Sequence, residues 1–84
     1  MLTGEQIKMA RAALGWSIEK LAEESAVGVR TINRMEAQSG TPKATMANLK
    51  LIRSTLEDAG IEFIGNAAEG PGVRLWRQVG SQTK

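Results

Sequence analysis

The 84-residue chain contains no cysteine, no histidine and no tyrosine, and only one phenylalanine, two tryptophans and two prolines. Without cysteine there is no disulfide framework and no thiolate metal site, which fits a reducing, cytoplasmic setting. Without histidine as well, the usual nucleophilic triads, zinc hydrolase sites and imidazole acid–base schemes lack their parts. Carboxylates remain, but no spacing places two of them in a pocket, so no enzyme, no cofactor and no metal is expected. Long apolar runs are missing too. Nothing approaches the ~20 residues that span a bilayer, and residues 1–5 have neither the basic start nor the apolar core of a secretory signal. The net charge of +2 is too small to argue from alone.

What is present is enough for one small domain, whose limited core makes oligomerisation a useful source of stability. The distribution of charge is more telling than its sum. Residues 1–27 hold Lys8, Arg11 and Lys20 against Glu5, Glu19, Glu23 and Glu24. Residues 28–56 hold Arg30, Arg34, Lys43, Lys50 and Arg53 against Glu36 alone. Residues 57–84 hold Arg74, Arg77 and Lys84 against Glu57, Asp58, Glu62 and Glu69. Such a basic middle is either an ordinary solvated face or the footprint of a polyanion.

Four helices followed by a strand or hairpin are expected, a mainly α fold. Thr3 and Gln6 form a capping-box pattern, so a first helix starts near Gly4 and stops at Gly15. Ser17 caps a second helix that runs to about Ser25. A turn at 26–28 leads to a third helix ending near Ala37, and residues 38–42 (Gln-Ser-Gly-Thr-Pro) read as a loop. A fourth helix is expected from about Lys43 to Ala59, started by Thr41 or Pro42, with Met46, Leu49, Ile52, Leu56 and Ala59 as its buried stripe and Gly60 as its stop. Beyond Gly60 the period changes to two. Residues 61–64 and 73–77 alternate apolar with polar side chains around a Gly- and Pro-containing turn. The division expected is 1–60 as a helical domain, 61–79 as a hairpin extension and 80–84 as a frayed tail.

The segment from Ser17 to Glu36 carries the most information. Leu21, Ala22, Val27, Ile32 and Met35 form one buried seam across two short helices. Arg30 and Arg34, four residues apart, then share the opposite, wet face. A short helix with paired arginines, braced by a second helix, suits the DNA major groove. The hairpin raises a separate question, because a two-stranded ribbon rarely stands free. Phe63, Leu75 and Trp76 supply apolar surface either for folding back on the helices or for pairing with a second copy across a two-fold axis.

With these elements in place, residues 14–17 (Leu-Gly-Trp-Ser), Leu21-Ala22 and residues 29–36 (Val-Arg-Thr-Ile-Asn-Arg-Met-Glu) resemble the XRE family of helix-turn-helix regulators, which includes the lambdoid phage repressors and Cro proteins. The likeness covers roughly residues 4–59. Residues 60–77 resemble the short bacterial members that end in a Gly-(Val/Ile)-Glu-Phe and Pro-Gly-Val-Arg-Leu pattern. The resemblance implies that the third helix enters the major groove, with Val29, Arg30, Thr31, Asn33 and Arg34 as its base-reading positions. Arginine clasps guanine, asparagine clasps adenine and a valine methyl meets thymine, whereas Thr31 suits a phosphate or its own helix. Phosphates would be met by Ser17 with the amides of the second helix, and by the loop at Gly40, Thr41 and Lys43. Arg11 and Glu36 stand where the family places a structural salt bridge. Three positions depart from the pattern: Ile18 replaces a glutamine, Ala26 a turn glycine, and Gly28 a capping Ser or Thr.

The reading that follows is a sequence-specific regulator, a repressor acting as a homodimer on double-stranded DNA and associated with the nucleoid when bound. RNA polymerase is a further partner the resemblance allows. Two alternatives stand beside it: an interaction module such as an antitoxin or antiactivator, whose partner is a toxin or another protein, and non-specific architectural DNA binding.

Overall fold

In the computed structural model, residues 2–38, 40 and 42–76 are described. Four helices, α1 (Gly4–Leu14), α2 (Ile18–Ser25), α3 (Val29–Ala37) and α4 (Met46–Asp58), precede two strands, β1 (Ile61–Ile64) and β2 (Gly72–Leu75). The fold is therefore mainly α, a helical domain followed by an antiparallel hairpin.

Local chemistry sets most of the boundaries. The Thr3 hydroxyl accepts from the Gln6 amide and Gln6 Oε1 accepts from the Thr3 amide, each at 3.0 Å, so the capping box is complete. Gly15 ends α1 at φ 71°, a left-handed cap that glycine adopts without steric cost. The Ser17 hydroxyl accepts from Lys20 N at 3.0 Å and opens α2. Ala26 closes α2 in the left-handed region at φ 64°, the one described residue other than glycine with positive φ. Its missing glycine is thus a real backbone strain.

Side chains from all four helices and β1 meet in one core. Ile7 and Ala10 come from α1, Leu21 from α2, Ile32 and Met35 from α3, Leu49, Ile52 and Leu56 from α4, and Ile61 from β1. Val27 joins them from the turn, and its amide donates to the hydroxyl of buried Ser25 at 3.2 Å. Each fully buried Leu or Ile contributes ~1.5–3 kcal/mol of transfer free energy to holding α2 and α3 together. Ala22, in the same seam, is half-buried against this core.

The start of α4 differs from the expectation. Residues 42–45 are not helical, and the cap is Thr45, whose hydroxyl accepts from Asn48 N at 3.1 Å. Neither Thr41, which lies outside the described residues, nor the buried Pro42 begins the helix. A start three residues later leaves Met46 in the first turn, beyond the core, and 56% exposed rather than buried. The buried stripe is Leu49, Ile52 and Leu56, while Ala59 is a half-buried cap.

The hairpin folds back on its own helices. Ile61 pairs with Leu75, Glu62 with Arg74, Phe63 with Val73 and Ile64 with Gly72. Alternation sends Ile61, Phe63, Val73 and Leu75 toward the helical core. The opposite face carries Glu62, Ile64, Arg74 and Trp76, all exposed. The second strand spans 72–75, not 73–77. Arg77, the rest of the extension to 79 and the tail at 80–84 lie outside the described residues.

Candidate nucleic-acid interface

One face of α3 is committed to the core through Ile32 and Met35, and this decides what the rest of the helix offers to solvent. Val29, Arg30, Asn33 and Arg34 are exposed, and Thr31 is half-buried. Arg30 and Arg34 are one turn apart, about 6 Å along the axis. Neither makes an ion pair with another described residue, and the same is true of Lys43 and Lys50. Arg53 differs: its Nε meets Glu57 Oε2 at 2.9 Å. Lys20 is likewise held by Glu24 at 3.0 Å, a bond that raises its pKa above the ordinary value. Unneutralised positive charge is therefore found on α3, in the loop after it and on α4.

Three contacts pin α3 from behind. Arg11 Nε and Nη2 donate to the two carboxylate oxygens of Glu36, each at 2.8 Å, while Nη1 donates to the Trp16 carbonyl at 3.0 Å. One guanidinium thus joins α1, the α1–α2 corner and the end of α3. Its pKa is raised, first by the hydrogen bond to Glu36, against a smaller opposing effect of burial. Gly4 supplies the second contact. A Cβ there would collide with the carbonyl oxygens of Met35 and Gln38, so α1 and the end of α3 approach as only glycine permits. The third is Gln38, whose Nε2 donates to Arg34 O at 3.1 Å and whose Oε1 accepts from Lys43 N at 3.0 Å.

Around this helix, Ser17 is exposed at the start of α2, and Gly40 is half-buried in the α3–α4 loop. Gly40 is held by α1: its carbonyl accepts from Gly4 N at 3.0 Å and its amide donates to Glu5 Oε1 at 3.1 Å. Lys43 is exposed beside it. Gly28 caps α3 without any side-chain bond. Ile18 is half-buried against the core, as is Trp16, over whose ring the Lys20 ammonium sits at 5.8 Å. Phe63 and Leu75 are half-buried on the helices, with the Arg53 guanidinium 5.4 Å from the Phe63 ring, and Trp76 is 58% exposed.

Gly4, Glu5 and Gln38 escaped the sequence reading. An isolated glycine in the first turn of a helix was a usable signal, since such a residue costs stability unless a close approach requires it. Gln38 and Glu5 gave none, because their bonds depend on the path of the loop.

A nine-residue helix buried on one side, arginine-bearing on the other and preceded by a second helix and a tight turn defines a helix-turn-helix DNA-binding domain. The Helix-turn-helix family model matches residues 7–56, more than half of the chain. The chain belongs to this family, of the XRE and Cro type, whose members bind DNA. Among curated proteins, none matches the chain. No helix among the described residues is long and apolar enough to cross a membrane.

Proposed function

We propose that this protein is a sequence-specific transcriptional regulator that represses by occupying a dyad-symmetric operator as a homodimer. The observation that carries this reading is the pair Arg30 and Arg34, exposed, without an ion pair to another described residue and one turn apart on a helix whose other face is fixed in the core. In the major groove each guanidinium would take guanine O6 and N7, with Val29 against a thymine methyl and Asn33 toward adenine. Thr31, half-buried, suits a backbone contact better than a base. Ser17 with the α2 amides, and Thr41 and Lys43 in the loop, would meet phosphates on either side, whereas the Gly40 amide is already taken by Glu5.

One reading helix contacts too few base pairs to single out a site in a genome, so two copies would read half-sites about one helical turn apart. The outer face of the hairpin is the surface we assign to the second copy. Trp76 and Ile64 are exposed there beside Glu62 and Arg74, which pair with each other within the chain at 3.3 Å. Phe63 and Leu75 would support that face from beneath.

Selection of bound duplexes from a random pool tests the reading. It predicts a consensus with a dyad and a fixed spacing. Uniform weak binding to all duplexes would instead indicate an architectural protein. The exposed Trp76 favours a second reading, an antitoxin-like module, which predicts a protein bound in fixed ratio through that face and no preferred duplex.

A further inference from the structure

Gln6 is 1% exposed, and its side-chain amide is fully used. Oε1 accepts from Thr3 N, while Nε2 donates to the carbonyls of Ile64 at 2.8 Å and Gly72 at 2.9 Å. Those two carbonyls belong to the last register pair before the hairpin turn, one from each strand. A single side chain on α1 therefore grips both strands at once, 58 and 66 residues away in sequence. Its neighbours in the same helical turn grip the α3–α4 loop. Gly4 N donates to Gly40 O, and Glu5 accepts from Gly40 N. The hairpin turn lies near this loop: only a Cβ built on Gly40 would reach the Ala67 methyl, at 4.0 Å.

Residues 4–6 thus tie together the end of α3, the loop at Gly40 and the hairpin. We propose that Gln6 is a positioning residue for DNA binding: by fixing the first turn of α1 to both strands of the hairpin, it keeps Gly4 and Glu5 on Gly40 and so keeps the loop after α3 in place. The proposal rests on the reading of that loop as a DNA-backbone contact. It gives the hairpin a task beyond covering the core. Anything that engages its outer face, a second copy included, is mechanically linked to the loop beside the reading helix.

The side chain is suited to this by being both acceptor and donor. Gln6→Glu keeps the acceptor for Thr3 but sets a carboxylate against two carbonyl oxygens. Gln6→Met removes both functions without adding charge. In the full chain, Gln6→Glu should speed hydrogen exchange of the Trp76 amide, which bonds Gly60 O at 2.7 Å, and of the Gly40 amide together. About tenfold is expected for each, with the Ile32 amide in α3 unchanged. Affinity for the selected operator should fall several-fold, with a shallower salt dependence and the same base preference. Faster exchange at Trp76 alone, with Gly40 and the salt dependence unaltered, overturns the proposal, as does no change at either amide. If Gln6→Glu does not fold, the same amides are read in Gln6→Met. If the unaltered chain prefers no duplex, the functional reading fails, while the Trp76 and Gly40 exchange still decides the linkage.

Discussion

Arg11 and Glu36 form a two-bond ion pair in which the carboxylate is almost fully buried, its side chain 5% exposed against 19% for the arginine. The fork of the guanidinium matches both oxygens, and a third N–H holds Trp16 O. The raised pKa of Arg11 means that its stabilising effect is present below the ordinary arginine value and lost only as pH climbs beyond it. Alkali within the usable range therefore does not open the pair.

Removing one partner strands the other. Arg11→Met should cost about 3–5 kcal/mol, because Glu36 keeps a buried charge with no counterion. The double variant Arg11→Met, Glu36→Leu should recover most of that loss. Urea unfolding of the three proteins measures it; a double variant no better than the single one would place the cost elsewhere.

Ala26 holds positive φ at an exposed cap. Ala26→Gly relieves that strain and should stabilise the domain by about 0.5–1 kcal/mol, after the greater freedom of glycine in the unfolded chain is counted. A rise of about 2–8 °C in Tm is the corresponding thermal readout. A fall would show that the turn does not need the left-handed conformation.

Gly4 is the opposite case. Its Cα lies against backbone carbonyls at Met35 and Gln38, which cannot rotate away as a side chain would. Gly4→Ala should destabilise by about 1–3 kcal/mol and displace the end of α3. Amide shifts concentrated at residues 35–38 and 40 would verify it, and unchanged shifts there would refute the close approach.

Much of this fold was legible because its signals are local. Thr3 with Gln6, Gly15 and Ser17 each mark a helix end through bonds spanning a few residues, and the apolar spacing of Leu21, Ile32 and Met35 follows from helical period alone. The start of α4 was not legible. Thr41 and Pro42 read as its openers, whereas the helix opens at Thr45, after a loop tied by Gln38 and Gly40. Period two gave the two faces of the hairpin but not which surface it covers. The contact with α1 includes Gln6, whose second role joins residues about sixty positions apart. Exposure of Arg30 and Arg34 followed from the core positions of their helix.

Lys43 is exposed and makes no ion pair with another described residue. If it meets a phosphate, Lys43→Ala should weaken binding to every duplex about equally and flatten the slope of log K against log salt by about one unit per protomer. A change in base preference would instead make Lys43 a reader.

The most direct test of the account is Arg30→Ala, assayed against the selected operator and each of its single-base-pair variants. A loss of about 1–3 kcal/mol per half-site and a relaxed preference at one base pair in each are expected. Unchanged affinity together with an unchanged preference would contradict it, because α3 would then not be the helix that reads DNA.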